Sequence, residues 1–316
     1  MKRYDVIIIG AGPAGLTAAI YGARSKLSTL YIEKLSTGGQ AATTDEIENY
    51  PGFPAGISGP ELTANMEDQA RRFGAARLAA NVAKIEVAGE WKIVKTNKGD
   101  YEALAVIIAS GAAPKLLGCP GELEFRSRGV SYCATCDAAF YEDTNVMVVG
   151  GGDSAVEEAM YLTRFAAKVT LIHRRDGLRA TKIVQERALA NPKLDILWNT
   201  VVEEIGGSDI VEKIVLKNTL TGETRELAVD GVFIYVGLEP NTSWLGGLVE
   251  TDGAGYIKTD ATMLTNVPGI YAAGDVRHTP LRQVVTAAAD GAIAAFYAEK
   301  HVEEYLAGNK TKGVKQ

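Results

Sequence analysis

The pair Cys133 and Cys136, in the run Cys133-Ala134-Thr135-Cys136, is where this chain could do chemistry. Two thiols at this spacing suit a redox-active disulfide or one half of a zinc site. The chain holds three cysteines and three histidines in all. Cys119, His173, His278 and His301 supply no second ligand pair, so the redox reading is the stronger one and no metal is expected. Asp137 follows at once. Burial would favour its neutral form and let it act as a general acid toward a leaving thiolate. As a first-turn carboxylate it would also stabilise a helix start. Cys119, alone in Gly118-Cys119-Pro120-Gly121, reads as a small buried residue.

Glycine-rich fingerprints stand on either side of the dithiol. The first is Gly10-Ala11-Gly12-Pro13-Ala14-Gly15 and the second Gly150-Gly151-Gly152-Asp153-Ser154-Ala155. Glycines at these places allow a tight turn and a close approach of backbone to a pyrophosphate, with a helix N-terminus behind it. Glu33 stands 23 residues after Gly10, where a carboxylate hydrogen-bonds ribose hydroxyls. The same offset from Gly150 falls on His173, followed by Arg174 and Arg175, with Arg179 nearby. Guanidinium groups there would hold a 2′-phosphate that a carboxylate would repel. The first site is therefore expected to take FAD and the second NADPH. Arginines on a solvated strand end are the plainer alternative.

Such turns need strands and helices to hold them. Val6–Ile9 reads as a strand, Leu16–Arg24 as a helix and Leu30–Glu33 as a second strand. The grammar returns with a strand over 145–149, a helix over 155–164 and a strand over 168–172. The expected fold is α/β, with two Rossmann-like, three-layer nucleotide-binding domains and the second inserted into the first. Apolar strands ending in Gly and Pro near 113 and 242 mark the crossings. That gives an FAD-binding domain over 1–112 and 243–316, and an NADPH-binding domain carrying the dithiol over 113–242. Crossings of this kind suit a hinge about which the inserted domain rotates.

At 316 residues the chain has room for two domains, and 47% hydrophobic residues can build their cores. A net charge of −6 speaks against nucleic acid as a partner. The apolar run Val6–Ile9 is too short for a signal peptide or a membrane span, so a soluble cytoplasmic protein is expected.

Taken together, the motifs resemble one family, the low-molecular-weight FAD-containing thioredoxin reductases. The likeness runs nearly end to end. It rests on the first fingerprint, Gly38-Gly39-Gln40, Glu48-Asn49-Tyr50-Pro51-Gly52, Cys133-Ala134-Thr135-Cys136-Asp137, the second fingerprint, His173-Arg174-Arg175-Asp176-Gly177, Ala273-Gly274-Asp275-Val276 and Arg282-Gln283. The resemblance implies that Gly38, Gly39, Gln40, Asn49, Asp275, Arg282 and Gln283 approach FAD. It implies that Cys136 faces the flavin, that Cys133 exchanges with thioredoxin, and that the chain forms a homodimer. The implied activity passes electrons from NADPH through FAD and the Cys133–Cys136 disulfide to thioredoxin. Another thioredoxin-like acceptor, or a redox sensor that reads the dithiol state, are the competing readings.

Overall fold

The computed structural model describes residues 1–44 and 46–313, without the side chains of Thr135, Cys136 and residues 309–313. The chain divides into two compact units. Met1–Ala113 and Glu239–Gln316 form the first, and Pro114–Leu238 the second.

The first unit begins with β1 (Lys2–Ile9), α1 (Pro13–Arg24), β2 (Thr29–Glu33), α2 (Gly59–Arg72) and β3 (Ala76–Ala79). The hairpin β4 (Val82–Ala88) and β5 (Trp91–Thr96) then leads into the long β6 (Gly99–Ile108). Strands β3, β2, β1 and β6 lie side by side in parallel, and β5 and β4 extend the sheet antiparallel. Alternation along the strands covers both faces. Val6 and Ile8 of β1 enter one core with α1, while Ile7 and Ile9 enter the other with Leu245 and Val249.

The second unit follows β7 (Ala112–Pro114), the first crossing. It contains β8 (Val130–Ser131), α3 (Ala134–Asp137), β9 (Asn145–Gly150), α4 (Asp153–Leu162), β10 (Lys168–Ile172), α5 (Lys182–Leu189) and β11 (Leu194–Leu197). Next come β12 (Thr200–Gly207), β13 (Val211–Asn218), β14 (Thr224–Ala228) and β15 (Gly231–Tyr235). The parallel sheet runs β11-β10-β9-β15-β8, and β12, β13 and β14 form a separate antiparallel sheet. Val146, Val148 and Phe233 pack with Val156 and Val184 from α4 and α5, whereas Met147, Val149 and Val232 pack with Ile205, Ile214 and Leu216 from the smaller sheet. Helices on one face and strands on the other make three layers, the Rossmann-like architecture that the repeated strand-turn-helix grammar implies.

The return crossing is β16 (Leu238–Pro240), which pairs with β7. Residues 239–242 lie with the first unit, where Asn241 donates from its backbone N to Gly111 O at 3.0 Å and from Nδ2 to Ser110 O at 2.8 Å. Strand β17 (Ile270–Ala272) adds to β6, and α6 (Val284–Gly313) packs on α1. That packing is close because Gly291 presents no side chain. A Cβ there would stand 2.1 Å from Ala14 O.

Candidate active site

In each unit the parallel strands bring their carboxyl ends to one edge of that unit's own sheet, and the fingerprint turn lies there. In the first unit, Gly10 N donates to Ile32 O at 2.8 Å, Ala109 N to Ile9 O at 2.8 Å and Ala273 N to Ile108 O at 2.9 Å. Those bonds align the ends of β1, β2, β6 and β17 in one row.

The three fingerprint glycines of this unit are glycines for three reasons. Gly10 has φ +104° and lies against Ala109, where a Cβ would be 2.2 Å from the carbonyl oxygen. Gly15 is a packing position, since a Cβ would stand 1.9 Å from Gly10 O and lift α1 off the sheet. Gly12 has an ordinary extended backbone, φ −78° and ψ −174°. Its Cβ would meet nothing nearer than Gly39 Cα at 3.9 Å and Gly38 O at 4.0 Å. Neither folding nor packing asks for glycine at this place, and the space beside it is what a pyrophosphate would fill.

The surrounding residues form a cradle around that space. Pro13 opens α1, no side chain caps the helix, and its first-turn amides are left for an anion. Glu33 Oε2 accepts from Ala11 N at 3.0 Å, which ties the strand end to the turn. Gly38 N donates to Ala11 O at 2.7 Å, laying the Gly38-Gly39 loop on the fingerprint. Gln40 Nε2 reaches Ala112 O at 3.5 Å. Gly274 lies against Ala14, a Cβ there being 2.8 Å from that methyl, so Asp275 stands beside the start of α1. Burial pushes the Asp275 carboxyl upward, and the Arg282 charge pulls it back. Arg282 lies 4.1 Å above the Tyr256 ring, with Nε buried and lacking a hydrogen-bond partner among the described residues. Gln283 Oε1 accepts from Asn49 Nδ2 at 2.9 Å. A dinucleotide fits this set: open space at a backbone turn, free amides and an unsatisfied buried donor.

The second unit repeats the arrangement with one substitution of principle. Gly152 caps α4 at φ −92° and ψ 179°, and a Cβ there would meet no atom within 4 Å. Asp153 Oδ1 is turned aside to accept from Thr181 N at 2.7 Å, and Ser154 is exposed on the first turn. His173 occupies the register of Glu33 but faces inward. It is 5% exposed, and its Nδ1 and Nε2 lie 2.7 and 3.0 Å from Gly150 O and Gly177 O. Arg174, Arg175 and Arg179 are exposed beyond it, with no carboxylate partner among the described residues.

The dithiol belongs to the same edge. Strand β15 lies between β9 and β8, so the start of the dithiol loop is two strand spacings, about 10 Å, from the nucleotide turn. Cys133 is disulfide-bonded and Cys119 is free. The side chain of Cys136 lies outside the described residues. Three groups that the sequence reading did not single out hold the loop. Cys133 N donates to Ser131 Oγ at 3.0 Å, and Ser131 Oγ donates to Asp137 Oδ2 at 2.6 Å. Ala134 N donates to the Tyr235 hydroxyl at 2.7 Å. Buried Glu122 accepts from Tyr132 OH at 2.7 Å and from the amides of Leu117 and Gly118 at 2.8 and 2.6 Å. Burial first, and Glu122 second, push the Cys119 thiol up to about 11, so it stays a protonated, unreactive thiol near neutral pH. A hydroxyl residue two places before a cysteine was the signal available for Ser131; Tyr235 left none, 101 residues distant from its partner.

Residues 4–291 match the family described as pyridine nucleotide-disulphide oxidoreductase. Thioredoxin reductase from Peptoclostridium litorale is 54% identical over 310 residues, covering 96% of this chain and 98% of the relative. The chain belongs to the thioredoxin reductase family. Thioredoxin reductase from Bacillus subtilis strain 168 is 52% identical over 311 residues, 98% of either chain. A crystal structure of Lactococcus lactis thioredoxin reductase is 49% identical and superposes with a TM-score of 0.93, covering 95% of this chain and 99% of that one. Membership of this family of flavoprotein oxidoreductases implies use of FAD and NADPH. Among the described residues, no group of three or more His, Cys, Asp and Glu could hold a metal ion, and no helix is long and apolar enough to cross a membrane.

Proposed function

We propose that this chain reduces the disulfide of thioredoxin with electrons from NADPH, by way of FAD in the first unit and the Cys133–Cys136 pair in the second. The observation that carries the reading is the shared edge of the second unit. One parallel sheet presents a nucleotide turn followed by exposed arginines, and a disulfide-bonded cysteine two strands away.

FAD, when bound, supplies a carrier that takes two electrons from a nicotinamide and gives them to sulfur. The chain's own residues do the rest. Gly10, Gly12, Pro13, Ala14 and Gly15 receive the pyrophosphate of FAD, and Glu33 orients its turn. Gly38, Gly39, Gln40, Asn49, Asp275, Arg282 and Gln283 hold the remainder. In the second unit Gly152, Asp153 and Ser154 form the helix start that faces the NADPH pyrophosphate. Arg174, Arg175 and Arg179 take the 2′-phosphate, and His173 braces the turn from behind. Cys133 attacks the thioredoxin disulfide, Cys136 resolves the mixed disulfide, and Asp137 supplies a proton to a leaving thiolate. The homodimer and the cytoplasmic setting belong to the same proposal, the first being tested by light scattering.

An absorbance-monitored titration with NADPH and NADH, with and without thioredoxin, tests the reading. Sustained NADPH oxidation that requires thioredoxin is expected. The double change Arg174→Ala, Arg175→Ala should lower kcat/KM for NADPH roughly 30- to 1000-fold and spare NADH. A wild-type protein that uses both nucleotides equally, or that is reduced once and stalls, would overturn it.

A further inference from the structure

The Ser131 hydroxyl sits between the backbone of the reactive cysteine and the carboxyl group expected to move a proton. Ser131 ends β8, is 5% exposed, and pairs in register with Phe233 of β15. Among the described residues its Oγ has three neighbours: Cys133 N at 3.0 Å, Asp137 Oδ2 at 2.6 Å and Cys133 O at 3.3 Å. A hydroxyl carries one donor and two lone pairs. Cys133 N–H takes one lone pair, which leaves one donor and one lone pair for the other two neighbours.

We infer that Ser131 is a positioning residue that lets Asp137 change its protonation state without moving any heavy atom. When Asp137 is ionised, the serine proton points to Oδ2. When Asp137 is neutral, its own proton points to Ser131 Oγ, and the serine proton rotates to Cys133 O. Either state keeps the Ser131–Asp137 hydrogen bond, made by the serine donor in the one and by a serine lone pair in the other, and the switch is a hydroxyl rotation. The inference rests on the role of Asp137 in the proposed function. The proton count sets the need. Two electrons break the sulfur–sulfur bond and leave two thiolates, which become thiols by taking up two protons. The hydride of NADPH brings both electrons and one of these protons. Asp137 gives the other and regains it from solvent.

Among the described residues, Asp137 acts on two titratable groups, Tyr141, from the turn after α3, and Tyr235, from β15. Burial pushes both phenols upward, and the Asp137 charge adds to it, with Asp230 acting on Tyr141 and Glu158 on Tyr235. Both stay protonated near neutral pH, so neither competes as a base.

The test uses the flavin-loaded protein and two readouts. Carbon-13 NMR of labelled aspartate carboxyls follows the titration of Asp137, assigned by its loss in Asp137→Asn. Stopped-flow absorbance follows reduction of the dithiol by NADPH as a function of pH. In Ser131→Ala the carboxylate loses a charge-assisted hydrogen bond and the neutral acid a weaker, neutral one, and the difference decides the shift. The Asp137 titration midpoint should move up by about one pH unit, a tenfold change in proton affinity. The pH at which the rate falls should move with it. Ser131→Thr should keep both where the wild type has them. In Asp137→Asn the further change Ser131→Ala should leave the pH profile where it was. NADP⁺ binding to the same unit checks that each variant is folded. An unmoved titration in Ser131→Ala overturns the inference whatever the rate does. A moved titration with an unmoved rate profile overturns the acid role of Asp137, and the inference with it.

Discussion

Replacing Gly152 by alanine separates a nucleotide site from a folding requirement. Its backbone conformation is open to any residue, and an added methyl would touch nothing within 4 Å. On folding grounds the change is therefore neutral to favourable, by up to about 1 kcal/mol, because alanine narrows the unfolded ensemble. For a unit of this size that is a rise in Tm of roughly 1–5 °C. Gly151 is the contrasting control. A Cβ there would stand 2.2 Å from His173 Nδ1 and 2.3 Å from its Cε1. Gly151→Ala must displace a buried ring, at a loss of about 1–3 kcal/mol. Toward the nucleotide, the methyl of Gly152→Ala takes the space through which a pyrophosphate reaches the amides of α4. Losing one or two charge-assisted hydrogen bonds removes about 1.5–4 kcal/mol, or roughly 10- to 1000-fold in affinity. Calorimetric binding of NADP⁺ to the flavin-loaded protein, beside a thermal melt, reads both quantities. Gly152→Ala should melt at or above the wild type and bind NADP⁺ far more weakly. Unchanged affinity would remove the pyrophosphate from this turn, and a large fall in Tm would make the glycine a folding residue after all.

Two further expectations concern a buried and a half-buried base in the first unit. Lys92 is 1% exposed, and its Nζ donates to Glu90 O at 2.9 Å; burial holds its ammonium below the usual lysine range. The unfolded chain binds that proton more readily, so at neutral pH the lysine opposes folding. Lys92→Met should raise stability by about 1–2 kcal/mol in chemical denaturation, and a fall would contradict the reading. His301 is held below the usual imidazole range by burial first and by the Lys92 charge second. Its ring stays neutral in the fold while the unfolded chain takes up a proton, so stability should drop as pH falls through about 6.5, by up to about 1.4 kcal/mol per unit. His301→Gln should flatten that slope in melts between pH 7 and 5. An identical slope would assign the acid sensitivity to other groups.

What was legible in the sequence was local. A strand, a glycine turn and a helix occupy some twenty consecutive residues, and the pattern survives because each part is set by its neighbours. Both turns and the dithiol loop were readable for that reason. Pattern reading gives one letter to Gly10, Gly12 and Gly15, although the first answers to backbone conformation, the last to helix packing, and the middle one to neither. Register counting put His173 opposite Glu33, but counting does not report which way a ring points, and this one turns toward two carbonyls. Contacts between distant segments left no trace. Asn49 meets Gln283 across 234 residues. Thr37 and Tyr31 both donate to Glu67 of α2, anchoring the chain just before Gly38. Such pairs are chosen by the topology of the sheet, which one chain of letters does not display.

The lodging of His173 against Gly151 bears on how this lineage could change its reductant. Copying the acid of the first unit into position 173 would set carboxylate oxygens against Gly150 O and Gly177 O, acceptor facing acceptor. Any side chain at 151 would evict the ring instead. Each step costs stability by itself, so the acidic and the basic versions of this turn differ by substitutions that compensate only when made together. The exposed arginines lie outside this packing constraint, and changes there do not disturb the ring. Nucleotide choice can thus be retuned at the rim of the site while its inner brace stays in place.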